Sequence, residues 1–222
     1  MVRNWLIVCA VLLAVGCATF WAARMMFRSS PDFYRQAMQE GTEPERQREL
    51  AASLQEELRI AETDSEATWT ALFSEEQINA WLATELPRQF PLLLPPDIHD
   101  PRVQLHEGWA LVACRLVRRN AKLVLSLEVR ATVAEEQPNA FSVEIHKARA
   151  GWLPVPRQKV VARLSEAAAR GGLDVRWADG CEVPTAIVRL PTEKPELRDD
   201  VLLRELQLHA GEISISGTVV PP

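Results

Sequence analysis

The side chains that most often perform chemistry are scattered along this sequence. None of its four histidines has a histidine partner three or four residues away, and no cysteine joins them at the spacing of a zinc site. They are His99, His106, His146 and His209. Isolated histidines of this kind are typical of surface positions. The sequence therefore predicts no metal site and no cofactor.

Motifs of covalent and phosphate-handling enzymes are also missing. The sequence has no glycine-x-serine-x-glycine turn and no glycine-rich phosphate loop, and Asp199 and Asp200 are typical of a solvated turn. Cys114 and Cys181 allow two alternatives, a disulfide in an oxidising compartment or two buried free thiols. We expect a protein that is not an enzyme and has no catalytic residues.

The clearest functional signal is an apolar run near the N-terminus. Residues 5–23 are nineteen residues without charge or proline, and such a helix spans about 28 Å, close to the hydrocarbon thickness of a bilayer. Two tryptophans and two arginines form the expected interfacial belt: Trp5, Trp21, Arg24 and Arg28. We interpret residues 1–28 as an uncleaved transmembrane anchor. A lipoprotein modified at Cys17 and a cleaved signal peptide are the alternatives.

The charges around this run are nearly balanced between its two sides. A short N-terminal tail favours a signal-anchor, which predicts a single-pass protein of the cell (inner) membrane with its C-terminal domain outside the cytoplasm. After residue 28 the chain has 22 basic and 30 acidic side chains, a net charge of −8. This acidity disfavours nucleic acid as a partner, and docking onto anionic headgroups by charge alone.

Two helices are predicted directly after the anchor, at residues 30–40 and 43–62. The second has a narrow apolar stripe formed by Leu50, Leu54 and Leu58. It either packs lightly on the domain or forms a stalk that docks a partner as a coiled coil. The predicted organisation is a transmembrane anchor at 1–28, a helical stalk or arm at 29–68 and an α+β domain at 69–222.

A core helix is predicted from residue 75 to 86, because Ser74 and Gln77 form a capping box. Trp69, Leu72 and Phe73 are expected to pack just before it. Five prolines then follow between residues 87 and 101, around an apolar stretch at 90–94. This stretch is either a lid across the core or a lip that touches lipid.

From residue 102 the hydrophobic period changes to two, which predicts a four-stranded antiparallel meander with one wet face. Its second strand, 109–117, is apolar on both faces from Trp109 to Cys114 and should be covered on both. A helix at 157–170 and a hairpin that pairs 202–209 with 212–219 follow. The predicted fold is α+β: an N-terminal transmembrane helix, a helical arm, then a curved, mostly antiparallel sheet packed on one or two helices.

Two short motifs in this order of elements carry a family resemblance: Gln77-Ile78-Asn79 in the core helix, and the Ala-Gly-x-Leu-Pro-x-Pro sequence at 150–156. The chain resembles the YpmS-like family of membrane-anchored bacterial domains of unknown function. More loosely, it is similar to tubular lipid-binding (TULIP-like) domains, in which a long curved sheet wraps a helix. The resemblance covers roughly residues 70–219 and implies an extracytoplasmic domain with an apolar groove and no catalytic residues.

The dry face of the sheet forms either a filled core or a lipid-sized groove. The candidate groove lining consists of Trp81, Leu111, Leu125, Val143, Val160 and Leu164. The candidate membrane-proximal rim consists of Phe90, Leu92, Leu93 and Trp152.

These features favour a membrane-anchored, non-enzymatic, extracytoplasmic domain that binds a lipid or another apolar ligand near the membrane. The bilayer and a bound lipid are its expected partners, and nucleic acid is not. The alternative hypothesis is a structural or assembly protein of the cell envelope that binds a protein partner through the 43–62 helix.

Overall fold

The computed structural model describes residues 31–40, 43–63, 68–118, 121–134, 137–189 and 201–219. The predicted anchor, with Trp5, Trp21, Arg24 and Arg28, lies outside these ranges, and so does Asp199-Asp200. Within these ranges, no helix has the length and apolar character needed to cross a membrane.

The fold of the described residues is α+β with a large antiparallel sheet, as predicted. The helices are α1 (Asp32–Glu40), α2 (Pro44–Thr63), α3 (Glu75–Thr84), α4 (Leu86–Gln89) and α5 (Arg157–Gly171). The strands are β1 (Thr68–Ser74), β2 (Ile98–His106), β3 (Trp109–Arg118), β4 (Ala121–Val133), β5 (Ala140–Ala150), β6 (Leu153–Pro154), β7 (Asp174–Trp177), β8 (Thr185–Arg189), β9 (Val201–His209) and β10 (Glu212–Val219).

The large sheet has the strand order β2-β3-β4-β5-β8-β7, with β6 paired to β5. The predicted meander is confirmed, since β2 to β5 are consecutive antiparallel neighbours. Its first strand begins at Ile98, four residues before the predicted start, because the strand continues through a bulge between His99 and Arg102.

The large sheet has two different faces. Residues directly opposite each other in adjacent strands share a face, and successive residues alternate between faces. The core face includes Val103 and Val112, which pair with each other, and the outer face includes Leu111 and its partner Glu128.

A small sheet with the order β1-β10-β9 packs on the core face. Its contact with the large sheet is a buried apolar cluster of Val103, Leu105, Ala110 and Leu208. The final hairpin was predicted, and Leu208 pairs with Ile213 in it. Its turn is joined to the β2–β3 turn by two hydrogen bonds, from Gly108 N to Leu208 O (2.9 Å) and from Gly211 N to Leu105 O (3.2 Å).

Strand β1 was not predicted as a strand. It pairs along its length with β10 and buries Ala71 and Phe73 on one face. Leu72 therefore points to the opposite side and is 54% exposed, so its predicted place in the core was wrong.

The capping box of α3 is confirmed. The Ser74 hydroxyl accepts a hydrogen bond from Gln77 N (3.2 Å), and Gln77 Oε1 accepts one from Ser74 N (2.8 Å). One turn further along, Asn79 Nδ2 donates to Val103 O and Asn79 Oδ1 accepts from Val103 N, both at 2.8 Å. The Glu75 carboxylate accepts from Leu105 N (2.7 Å). Side chains of α3 thus pair with the edge strand β2 as a neighbouring strand would.

Helix α2 packs on the domain through Leu54, one residue of the predicted stripe. Ala51 is buried, and Leu54 forms a buried cluster with Ala71 and Phe73. The Gln77 amide also donates to Ser53 Oγ (3.0 Å) and Glu57 Oε1 (3.1 Å), which ties α2 to α3. This face of α2 is therefore occupied by the chain's own residues.

Helix α5 lies on the core face near the far edge of the large sheet. Trp177 shares that face with Ala186 and Val143 by strand register, and its indole donates to Ser165 Oγ of α5 (2.8 Å). Gly172 ends this helix with a left-handed φ of 69°, which glycine adopts without strain.

Replacing Asn79 by alanine tests the bond between α3 and the edge strand. Asn79→Ala leaves both backbone groups of Val103 without their partner, so we expect the free energy of unfolding to fall by about 2 kcal/mol. The measurement is urea unfolding of the full-length chain in mild detergent. The control is Glu76→Ala, on the same helix as Asn79. It removes an exposed ion pair with Arg46 of α2 and should change stability by less than about 0.5 kcal/mol. Equal losses in the two variants would contradict this account.

Candidate functional site

Helix α1 covers part of the outer face of β3. Tyr34, Ala113 and Val124 form a buried cluster, with Phe33 and Met38 packed against it, and Ala113 is only 1% exposed. The prediction that β3 is covered on both faces is therefore confirmed at this position. The helix that leads away from the predicted anchor is thus fixed to the sheet.

A polar cluster holds α1 in this position. The Tyr34 hydroxyl donates a hydrogen bond to the carbonyl oxygen of Asp100 (2.9 Å), and the Asp100 carboxylate pairs with the Arg115 guanidinium. Asp100 lies in the bulge of β2 with a φ of 49°. Burial, followed by the negative charge of Asp100, raises the pKa of Tyr34 to about 12. Burial also lowers the pKa of the neighbouring Arg102, and the Asp100 carboxylate opposes that shift.

An open cleft of about 340 Å³ lies beside this helix on the outer face. Its volume falls at the lower end of the range usual for small-molecule sites, about 300–1,000 Å³. The cleft is bounded by the start of α1, the turn after β5 and the strands β3 to β5. Its lining residues are Pro31, Asp32, Trp109, Leu111, Ser126, Glu128, Lys147, Arg149, Gly151 and Trp152.

Strand register arranges the floor of the cleft in two rows. Leu111, Glu128 and Lys147 lie opposite one another across β3, β4 and β5. In the next row, Ser126 lies opposite Arg149. Because each row belongs to the outer face, the strand side chains of the cleft point away from the core face and towards one volume.

The charged groups of the cleft differ in how they are paired. Lys147 Nζ contacts both carboxylate oxygens of Glu128, at 2.8 and 3.2 Å, and Asp32 pairs with Arg35. The exposed side chain of Arg149 forms no hydrogen bond or ion pair with the described residues. Ser126 lies opposite it and is 6% exposed as a residue, but its hydroxyl is not one of the buried polar atoms that lack a partner. The cleft therefore presents the Arg149 guanidinium to a ligand, with the Ser126 hydroxyl beside it.

Two tryptophans supply the aromatic surface of the cleft. Trp152, in the turn after β5, is 67% exposed. Trp109 is stacked on His106, with ring centroids 3.9 Å apart and an interplanar angle of 14°. Indole faces bind cations and the apolar faces of ligands, so this cleft suits an amphipathic ligand.

The residues that line the cleft include no histidine or cysteine. Within the described ranges, no three histidine, cysteine, aspartate or glutamate side chains come together as metal ligands would. What this arrangement offers chemically is binding through charge, hydrogen bonds and aromatic contact.

The structure places the six candidate groove residues on two sides of the sheet. Leu125 and Val143 lie on the core face, and Val160 and Leu164 belong to α5 on the same side. Trp81 packs against the cluster of Leu54, Ala71 and Phe73. Leu111 lies on the outer face, in the cleft, because it is three residues from Cys114, the partner of Leu125. Leu164, expected on the buried face of α5, is 37% exposed.

The four candidate rim residues also lie in different places. Phe90 is next to Trp81, with ring centroids 6.3 Å apart, and Leu92 is exposed. Leu93 lies against Gly171, at the C-terminal end of α5. Trp152 lies in the outer-face cleft, before the N-terminal end of α5.

The two described cysteines are not bonded to each other. Cys114 is mostly buried, and burial, followed by the charge of Asp97, raises the pKa of its thiol to about 11. Cys181 is exposed, so the expectation of two buried thiols was wrong for this residue. It lies in the turn between β7 and β8.

Comparisons with known proteins do not assign a ligand or a function to the cleft. No family model, curated protein or solved structure matches the chain. The resemblance to YpmS-like and tubular lipid-binding domains therefore stays a prediction.

The outer-face cleft was missed at the level of sequence because its face was interpreted only as a wet face. A signal was present nevertheless. Glu128 on one strand is followed by Lys147 and Arg149 at alternate positions of the next strand, and Trp152 comes directly after them in the turn.

Tyr34 is the only tyrosine of the chain, so its ionisation can be followed by ultraviolet absorbance. We expect it to titrate near pH 12 in the folded chain and near its ordinary value of 10 in urea. Between these values the unfolded chain has lost a proton that the folded chain keeps, so stability should fall as the pH rises from 10 to 12. Tyr34→Phe should remove this part of the pH dependence. A folded-state midpoint near 10 would show that α1 does not bury Tyr34.

Proposed function

We propose that this chain is a membrane-tethered, non-enzymatic binding domain whose outer-face cleft holds part of a lipid close to the bilayer. The observation that carries the proposal is the position of the cleft. Pro31 and Asp32, which line it, follow the end of the apolar run at Ala23 by only eight residues. Eight residues of extended chain reach at most about 29 Å.

The composition of the cleft supports the same proposal. Tryptophan with arginine and lysine is the combination that proteins place at the level of lipid headgroups. Here Trp109 and Trp152 stand beside Lys147 and Arg149. An open cleft with exposed indole suits a ligand that is itself held at an interface. The lining has no general base of the histidine type among the described residues, which favours binding over catalysis.

The proposal includes the features expected from the sequence alone. Residues 5–23 form a transmembrane helix, the domain lies outside the cytoplasm, and the large sheet is curved. It moves the ligand from the dry face of the sheet, where a groove was expected, to the outer face. There an open volume lies next to the start of the domain.

The alternative hypothesis is a structural or assembly protein that binds a partner through α2. Such a partner would have to bind a surface of α2 other than the apolar stripe expected from the sequence. Ala51 and Leu54 contact the chain's own strands, so a partner would bind the exposed side of this helix. No described contact or charge pattern on that side favours a partner.

A photoreactive amino acid in place of Leu111 tests the proposal directly. We expect it to crosslink to lipid in cell membranes that contain the full-length chain, because Leu111 lines the cleft. The same amino acid in place of Leu125, on the core face, is the matched control and should give no lipid adduct. Mass spectrometry of the adducts is the measurement. Lipid attached only at 125 would support the core-face groove instead, and no lipid at either position would refute lipid binding.

The orientation can be tested with the exposed thiol of Cys181. A membrane-impermeant maleimide added to intact cells should label the chain if the domain is outside the cytoplasm. Cys181→Ser should abolish the label, because the raised pKa of about 11 leaves Cys114 with little reactive thiolate. The other two cysteines, Cys9 and Cys17, belong to the apolar run proposed to lie in the membrane. Labelling that appears only after the cells are lysed would place the domain in the cytoplasm.

A further inference from the structure

We propose that the outer-face cleft selects a zwitterionic phospholipid headgroup, with its phosphate on Arg149 and Ser126 and its ammonium group against the tryptophans. This inference rests on the proposed function and adds the chemical class of the ligand. It follows from which groups of the cleft are already paired and which are free.

The anion-binding half of the cleft is the row of Ser126 and Arg149. These residues lie opposite each other in β4 and β5, and the Arg149 side chain has no hydrogen-bond or ion-pair partner among the described residues. Arg149 presents a planar fork of donors that matches phosphate oxygens. The Ser126 hydroxyl, opposite Arg149, can donate a hydrogen bond to the same phosphate. Both groups therefore suit a phosphate at this end of the cleft.

The groups that can bind a cation are the two indoles, Trp109 two residues before Leu111 in β3 and Trp152 in the turn after β5. Glu128 is already bound to Lys147, and Asp32 to Arg35, so neither carboxylate is a free anion. An ammonium group can nevertheless bind indole faces beside such partly neutralised carboxylates. The four charged lining residues, Asp32, Glu128, Lys147 and Arg149, sum to zero, which matches a headgroup that is itself neutral overall.

The net charge of the whole domain also favours a zwitterionic ligand over an anionic one. Its net charge of −8 after residue 28 opposes close approach to a strongly anionic bilayer surface. A neutral diacylglycerol, in contrast, offers no anion to Arg149. A zwitterionic phospholipid satisfies the free guanidinium without adding net negative charge.

The test uses the full-length chain, with the photoreactive amino acid in place of Leu111, in nanodiscs of equal parts phosphatidylethanolamine, phosphatidylglycerol and diacylglycerol. We expect the crosslinked lipid to be mainly phosphatidylethanolamine. Arg149→Ala should lower its yield about ten-fold, the effect of losing one charge-assisted hydrogen bond. Arg149→Lys should restore part of the yield.

Arg130→Ala is the matched control, because Arg130 is an exposed arginine on the same face of β4 and does not line the cleft. It should leave the yield unchanged. Circular dichroism of all variants, compared at equal protein concentration, separates loss of binding from loss of fold.

Three results would overturn the headgroup assignment, and they are distinguishable. Equal crosslinking of all three lipids, insensitive to Arg149→Ala, would leave lipid binding intact but remove the selectivity. Loss of crosslinking in millimolar inorganic phosphate or in a soluble glycan would show that the cleft binds a free anion or a sugar. No lipid adduct in any nanodisc would refute the proposed function as well.

Discussion

Two polar side chains of α3 occupy the place of a missing strand, and the arrangement of the two sheets depends on them. Strand β2 is the edge of the large sheet, so its outward backbone groups need partners that no strand supplies. Asn79 satisfies both groups of Val103, and Glu75 satisfies Leu105 N. Because α3 is fixed to this edge, its apolar residues Ile78 and Leu82 must pack between the two sheets. The Gln77-Ile78-Asn79 motif is thus a cap, a core residue and an edge contact in succession.

The second constraint is the apolar character of β3 on both sides. The small sheet covers its core face near Ala110, and α1 covers its outer face at Ala113. Since α1 is nine residues long, it covers only part of that face, and the uncovered part becomes the cleft at its N-terminal end. The site and the docking of the first helix are therefore two results of one packing requirement.

Local patterns predicted the elements whose partners are close in sequence. The period of two along β4 assigned Leu125 and Val129 to one face and Ser126 and Glu128 to the other, and the Ser74–Gln77 box located the start of α3. Strand β1 was not predicted because its partner β10 is far away in the chain. No neighbouring segment of the sequence indicates that residues 68–74 pair with another strand. The cleft was not predicted because β3 is apolar on both faces, and its sequence alone does not show on which face of the sheet Leu111 lies. Only the register, with Glu128 opposite Leu111, decides it.

The pairing of β1 with β10 also has a consequence for biosynthesis. Phe73 lies opposite Ile213, about 140 residues later, so the small sheet cannot form until nearly the whole chain has been made. Until then β1 has no strand beside it, and the core face of the meander lacks part of its cover. The order of synthesis therefore makes β10 the strand that completes the packing of β1, and the small sheet closes last.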